Sequence, residues 1–314
     1  MSSNRRQFLR YSLTVLGTVA AGGTAQRLCA SGKQAPGPCL GDGMADMPGM
    51  GPVLTADHHV VNAKPHAGDE ISAARIGVPG RRWIMVIDLT KCDGCGTCIA
   101  ACSKMHFVPP DRQWIKVLQM PLQEPEIAQQ HQASEKEKPH FFPFPQPCYH
   151  CDNPPCTKVC PVDATFKRSD GVVLIDNERC IGCRFCMAAC PYGARSFNWG
   201  KPQDPPQATA KEYSPEYGFP RRIGTVEKCD FCPDMAQMGM LPACVAACPM
   251  GAMYYGDENE DAVSNPQGET LRLSQLLIER DGYQHMAELG TKPRVYYLPH
   301  KTRMYAQPSQ PTKE

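Results

Sequence analysis

The chain has 314 residues, a formal net charge of +1, 42% hydrophobic residues and 18 cysteines. Near-neutral charge gives no basic footprint of the kind a nucleic-acid partner requires. No apolar run after the N-terminal region reaches the roughly twenty residues of a membrane span.

In chain order, Asn4-Arg5-Arg6-Gln7-Phe8-Leu9-Arg10 precedes a modestly apolar stretch over residues 11–21 and then Gly23-Thr24-Ala25. Consecutive arginines followed by Phe8 and Leu9 resemble a twin-arginine export signal, assigned to residues 1–30. The apolar stretch is too short and too rich in Gly, Ala and Thr for a stable span. Residues 31–80, rich in Gly, Pro, Ala and Met without sustained periodicity, read as an extended arm or linker. Met44, Met47 and Met50 with His58, His59 and His66 are ligand types that suit copper. An irregular segment offers no means of converging them, so a disordered or partner-bound arm is preferred. Cys29 falls within the signal and Cys39 within the arm; the flank of Cys29 does not resemble a lipoprotein cleavage site.

Regular structure begins near residue 81. Trp83-Ile84-Met85-Val86-Ile87-Asp88 reads as a strand, residues 98–106 as a short helix, and Trp114-Ile115-Lys116-Val117-Leu118 as a second strand. An insertion follows: a polar stretch over residues 123–138, then turn-rich residues 141–147. Gly171-Val172-Val173-Leu174-Ile175-Asp176 and Ala194-Arg195-Ser196-Phe197-Asn198-Trp199 are strand-like, and residues 202–220 form a long proline-rich loop. Ala252-Met253-Tyr254-Tyr255 reads as a returning strand. Residues 269–280 form an amphipathic helix with Leu273, Leu276 and Leu277 on its apolar side, packed on the core. Arg294-Val295-Tyr296-Tyr297-Leu298 is the last strand, and the chain frays after Pro299.

Four cysteine runs punctuate this pattern. The first, Cys92, Cys95, Cys98, Cys102, and the third, Cys180, Cys183, Cys186, Cys190, both read Cys-x2-Cys-x2-Cys-x3-Cys, the bacterial ferredoxin spacing. The second, Cys148, Cys151, Cys156, Cys160, stretches one gap to four residues, and the fourth, Cys229, Cys232, Cys244, Cys248, stretches it to eleven. Three runs continue into proline (Pro161, Pro191, Pro249), whereas Ser103 follows the first.

A cubane cluster has four iron corners, each taking one thiolate. Three nearby cysteines supply three corners, and in two-cluster ferredoxins the fourth comes from the partner run, so runs occur in pairs. The second and third runs, joined only by residues 161–179, suit one compact module; the first and fourth then pair around it. The expected ligand sets are Cys148, Cys151, Cys156 with Cys190, and Cys180, Cys183, Cys186 with Cys160. In the outer module they are Cys92, Cys95, Cys98 with Cys248, and Cys229, Cys232, Cys244 with Cys102. The fold class is therefore α+β: two nested ferredoxin-like modules with insertions and a C-terminal extension. Residues 81–147 give the first half of the outer module plus an insertion, 148–200 the inner module, 201–262 a loop and the second outer half, and 263–314 the extension.

Structural zinc usually takes two well-separated Cys-x2-Cys pairs, so four cysteines within eleven residues fit a cubane better. Cysteines two residues apart are poorly placed to bridge each other, which disfavours a disulfide framework. A Rieske centre needs two histidine ligands, whereas His106 and His150 lie near cysteines singly, as supporting or surface residues. Lys91, Lys158, Arg179, Arg184, Arg195, Arg221, Arg222 and Lys228 lie near the runs and could offset cluster charge; solvated surface charge is the plainer reading of any one.

Cys148-Tyr149-His150-Cys151-Asp152-Asn153-Pro154-Pro155-Cys156, the segment from Cys180-Ile181-Gly182-Cys183 through Arg195-Ser196-Phe197-Asn198-Trp199, and Val226-Glu227-Lys228-Cys229-Asp230-Phe231-Cys232 resemble the four-cluster iron-sulfur subunits of bacterial respiratory complexes. That family includes the electron-transfer subunits of polysulfide, tetrathionate and dimethyl sulfoxide reductases. The chain resembles in particular its exported branch, represented by the iron-sulfur subunit of the membrane complex linked to dissimilatory sulfite reduction. The similarity spans about residues 82–299. Some relatives replace a cysteine of the third run and hold a three-iron cluster; all four cysteines are present here, so the resemblance implies four 4Fe-4S clusters. It also implies a polytopic quinone-reactive membrane subunit of the polysulfide reductase type as one partner, and a molybdopterin catalytic subunit or multihaem cytochrome c as another. Such a chain would carry electrons in the periplasm and meet the membrane through its partner. It would leave bond chemistry to others and hold no catalytic residue of its own. A free soluble polyferredoxin with transient partners is the alternative.

Overall fold

The computed structural model describes residues 53–54, 60–61, 73–121, 141–202, 204–210 and 212–300. These belong to the larger of two compact units, Met47–Glu314. The export signal, Cys29, Cys39, the methionine and histidine positions of the arm, the polar stretch at 123–138 and the tail from residue 301 lie outside the described residues.

The architecture is mixed helix and strand. Its framework is a sheet built on β3, Trp83–Asp88. β3 pairs antiparallel with β10, Met253–Asp257, and parallel with β14, Val295–Leu298. The sheet extends through β11, Ala262–Ser264, and β12, Thr270–Arg272, on one side, and β13, Tyr283–Gln284, on the other. Side chains alternate across a strand, so a strand buried on both faces reads as a continuous apolar run. Met85 and Ile87 pack with Met253, Tyr255, Val295 and Tyr297 in the main core, beside Cys98, Cys102, Cys229 and Cys244. Ile84 and Val86 face the other way, against Tyr254, Val263, Leu298 and the helix Leu273–Glu279. One sheet face therefore backs the cysteines and the other is closed by the helix.

Smaller ladders support the cysteine runs. β4, Lys116–Pro121, pairs antiparallel with β5, Phe141–Gln146. β6, Thr165–Lys167, pairs with β7, Val173–Ile175, and β8, Ser196–Phe197, pairs with β9, Val226–Glu227. Within the predicted arm, β1, Val53–Leu54, pairs with β2, Val60–Val61, and Ala73–Ile76 forms one helical turn. Arg75 of that turn lies 2.9 Å from Asp163 and stacks over the Phe166 ring, which fixes the turn beside the second run. Arg294 makes a similar tie: its Nε donates to the Trp83 carbonyl at 2.8 Å, and its Nη1 lies 3.3 Å from both Asp152 and Glu258.

Several boundaries differ from the sequence expectation. Residues 141–146 are a strand rather than turns. N–H groups alternate between the two edges of a strand, so Pro143 and Pro145, two apart, remove donors from one edge only, and the other can pair with β4. The expected helix over 269–280 starts only at Leu273, because Thr270–Arg272 pairs with Ala262–Ser264. Strand pairing here overrides a helical period that begins with Leu273. The strand expected from Trp114 begins at Lys116, that expected over 194–199 is confined to Ser196–Phe197, and the 202–220 loop contains a helical turn, Pro206–Thr209.

In the Leu273–Glu279 helix, Leu276 is 6% exposed and Ile278 is 79% exposed. Leu276→Ala is expected to destabilise the loaded protein by about 2–5 kcal/mol and Ile278→Ala by under about 0.5 kcal/mol. Thermal unfolding at one scan rate checks this, and equal shifts would contradict the assigned helix face.

Candidate metal centres

In each run the residue before the second cysteine has left-handed backbone: Gly94 (φ 77°), His150 (φ 42°), Gly182 (φ 72°) and Phe231 (φ 72°). That conformation turns the chain sharply, so that successive N–H groups face the concave side, as in an anion-binding nest. At Gly182 a Cβ would also lie 2.2 Å from the Gly224 carbonyl oxygen, so only glycine fits. At His150 and Phe231 the same turn is made by residues that disfavour it, at a cost of order 1 kcal/mol each.

The third cysteine of every run then enters a helix: Cys98 in Thr97–Met105, Cys156 in Pro155–Lys158, Cys186 in Phe185–Ala188 and Cys244 in Ala243–Ala246. The fourth cysteine follows four residues later in every case, whatever the other gaps. Positions four apart are neighbours on one helix side, about 5–6 Å between Cβ atoms. Cys98 and Cys102 are so placed on one helix, and in the other runs the fourth cysteine follows two residues beyond the helical turn that carries the third, so each pair stays close yet can lean into different sites. This constant spacing was legible in the sequence, but the variable gaps obscured it.

The thiols gather in four groups. Cys92, Cys95, Cys98 and Cys248 line one cavity, Cys148, Cys151, Cys156 and Cys190 a second, and Cys160, Cys180, Cys183 and Cys186 a third. Cys102, Cys229 and Cys244 share one buried cluster, and Cys229 and Cys244 are near enough to both Cys102 and Cys232 to help raise their thiols beyond what burial does, which makes the fourth group. Each group combines three cysteines of one run with the last cysteine of another. All sixteen are unbridged thiols.

The donor set fits a multinuclear metal cluster. Burial, with help from neighbouring thiols, pushes Cys98, Cys151 and Cys229 up to about 12, and Cys102, Cys232 and Cys244 well above the ordinary thiol value. Four closely spaced sulfurs in such surroundings hold negative charge only beside compensating cations. Backbone donors also reach the sulfurs: Thr165 N–H lies 3.5 Å from Cys160 Sγ, and Ala252 N–H lies 3.4 Å from Cys248 Sγ.

Both nearby histidines are buried rather than superficial. His106 Nε2 lies 3.2 Å from Cys232 Sγ, and its Nδ1 lies 3.2 Å from Asp230 Oδ2. His150 Nδ1 accepts from the Val173 N–H at 3.0 Å, so its Nε2 carries the proton and donates to the Cys229 carbonyl at 3.1 Å. Burial and the Lys228 charge hold His150 well below the ordinary imidazole value, in keeping with a neutral ring that braces the fourth run.

Most basic residues near the runs serve the protein framework instead. Arg221 is held between Asp204 and Glu227 at 2.7 Å each, Lys91 lies 3.0 Å from Glu269, and Lys228 donates to the Val173 and Cys229 carbonyls. Arg179 donates to the Val162 carbonyl, Arg222 to those of Asn177 and Glu178, and Lys158 to Asn153. Arg184 and Arg195 line cysteine cavities; Arg184 is exposed and lies over the Trp199 and Phe197 rings, whereas Arg195 is buried.

Comparison with known proteins finds 4Fe-4S domains over the residues that carry the four runs. One domain family described as a 4Fe-4S dicluster domain matches residues 139–204 and 217–258, and a second with the same description matches residues 91–164. The chain is 41% identical over 228 residues to a selenate reductase subunit of Mesobacillus selenatarsenatis, covering 69% of this chain and 72% of that protein. It is 36% identical over 246 residues to Hdr-like menaquinol oxidoreductase iron-sulfur subunit 1 of Archaeoglobus fulgidus, covering 69% and 83%. With a tetrathionate reductase subunit of Salmonella typhimurium it shares 35% identity over 224 residues, covering 71% and 74%.

The interleaved grouping predicts that Cys190→Ser perturbs the centre bounded by Cys148, Cys151 and Cys156 and spares that of its own run-mates, Cys180, Cys183 and Cys186. Electron paramagnetic resonance of the reduced protein distinguishes the two. A change confined to the centre of Cys180, Cys183 and Cys186 would contradict the grouping.

Proposed function

This chain belongs to the 4Fe-4S dicluster family of iron-sulfur subunits of respiratory oxidoreductases, and on that footing we propose that it is a periplasmic relay holding four 4Fe-4S clusters. In this reading Cys92, Cys95, Cys98 and Cys248 hold the first and Cys102, Cys229, Cys232 and Cys244 the second. Cys148, Cys151, Cys156 and Cys190 hold the third, and Cys160, Cys180, Cys183 and Cys186 the fourth. Such clusters, when bound, supply one-electron redox chemistry.

The observation that carries the reading is the order in which the thiol groups adjoin. Cys98 and Cys102 share one helix and belong to the first and second groups, and Cys244 in the Ala243–Ala246 turn is followed just beyond it by Cys248, again one from each group. Cys151 of the third group packs in one buried cluster with Cys229 of the second, Cys148 packs against that cluster, and His150 between them in the chain donates to the Cys229 carbonyl at 3.1 Å. Cys156 with Cys160, and Cys186 with Cys190, join the third group to the fourth across a helical turn. The four sites therefore run in a line, with the first and fourth at its ends. This order also supports the nested arrangement, an inner module over residues 148–200 enclosed by the halves of an outer one.

The polypeptide's task is to ligate, space and insulate these sites. Its left-handed turns aim N–H groups inward, its sheet backs the first two groups, and its aromatic residues exclude water. Tyr149, Phe231, Tyr255 and Tyr297, all under 5% exposed, pack in the same buried cluster as Cys98, Cys102, Cys151, Cys229 and Cys244. The ends of the line are where partners exchange electrons. The names of the relatives, reductases of selenate and tetrathionate and a menaquinol oxidoreductase, support a quinone-reactive membrane subunit at one end. At the other they support a redox partner, which the family resemblance implies is a molybdopterin subunit or a multihaem cytochrome. No helix among the described residues is long and apolar enough to cross a membrane, so attachment would come through the partner. Arg5 and Arg6 mark the chain for export after its clusters are assembled, a route that keeps its thiols from forming disulfides.

Cell fractionation tests this. The native protein is expected in the membrane fraction with companion redox polypeptides, and the Arg5→Lys, Arg6→Lys double variant as cluster-loaded precursor in the cytoplasm. Recovery of the wild type alone as a monomer would contradict the complex, and unaffected export of the variant would contradict the signal.

A further inference from the structure

Four arginines are buried among the described residues: Arg168, Arg195, Arg221 and Arg294. Three are paired with carboxylates: Arg168 with Asp170 and Glu216, Arg221 with Asp204 and Glu227, and Arg294 with Asp152 and Glu258. Arg195 differs. No carboxylate among the described residues lies within ion-pair distance of it, its Nη1 donates to Thr165 Oγ1 at 3.2 Å, and its Nη2 is buried with no acceptor. A guanidinium remains charged in proteins, and burying that charge without a counter-charge is strongly unfavourable. Some anionic partner must therefore accompany the folded state.

The position of Arg195 identifies that partner. It lines the cavity bounded by Cys148, Cys151, Cys156 and Cys190. The hydroxyl it donates to belongs to Thr165, which lines the neighbouring cavity of Cys160, Cys180, Cys183 and Cys186 and whose N–H reaches Cys160 Sγ. Arg195 thus occupies the partition between the two inner sites. Cys148 and Cys156 line its cavity with it, and Cys186 lines the neighbouring one. Those three sulfurs come from both sites.

We infer that Arg195 is a shared charge-compensating residue for the two inner centres, raising the reduction potential of both and easing electron passage between them. The inference rests on the reading above, that these thiols hold clusters. A fixed positive charge beside a site that becomes more negative on accepting one electron favours the reduced form. One charge in the partition between two sites acts on both. No proton or bond changes at Arg195 itself; its role is positional and electrostatic.

The test is a potentiometric titration of the intact protein, followed by electron paramagnetic resonance. The inner signals are assigned by their perturbation in the Cys190→Ser and Cys183→Ser proteins. Arg195→Gln is expected to lower the equilibrium constant for reduction of both inner centres at least tenfold, about 59 mV for a one-electron couple. The outer two should stay within about twofold, and Arg195→Lys should hold all four within about threefold. Unmoved inner potentials in a fully loaded Arg195→Gln protein would overturn the inference, as would an equal shift of all four centres. If Arg195→Gln does not load iron, Arg195→Lys decides: loading with near-native potentials supports a need for charge, and failure to load shows a need for guanidinium shape and overturns it. Failure of the underlying cluster reading is separately visible, because the wild type would then lack the signals altogether.

Discussion

Sixteen cysteine sulfurs gathered four to a site repel one another once ionised, and burial makes each ionisation harder still. The thiols of Cys98, Cys151 and Cys229 are each pushed up to about 12 by their surroundings. A fold that collects such groups depends on compensating positive charge at each site, which fits iron-sulfur cores better than any arrangement of the protein's own cations. The chain has few cations to offer there. Among the described residues the buried arginines and lysines are largely committed to carboxylates and carbonyls, and Arg195 is the buried exception.

Local geometry adapts to the same demand. A left-handed residue before each second cysteine closes the loop inward, even where histidine or phenylalanine must take that conformation. The helical turn between third and fourth cysteines then separates two ligands by about one turn and directs them to different sites. Interleaving follows from this turn. Neighbouring sites share a rigid element, so their spacing depends on helix geometry rather than on loop lengths, which vary from two to eleven residues between cysteines. β3, with β10 and β14 beside it, backs this assembly and brings the first run next to the fourth despite their separation in the chain.

How much of this could be read from the sequence depended on how local each signal was. The four runs, the strand Trp83–Asp88 and the apolar side of the C-terminal helix are visible because spacing and periodicity report them directly. The strand Phe141–Gln146 was hidden by its prolines, which tell against a central strand but are harmless on one edge of a two-stranded ladder. The start of the last helix was misplaced because Thr270–Arg272 takes its conformation from a neighbouring strand. His106 and His150 gave no sign of burial, since their contacts to Cys232 and to the Cys229 carbonyl cross long sequence separations. Arg195 was one of eight basic residues near cysteines, and only the pairing of the other buried arginines distinguishes it.

The central claim is that these grouped thiols hold iron-sulfur cubanes, and the most direct measurement is iron and acid-labile sulfide in protein purified without oxygen. The account predicts about sixteen of each per chain, four per site. Colourless protein carrying about four zinc ions, one per four-cysteine site, would contradict it.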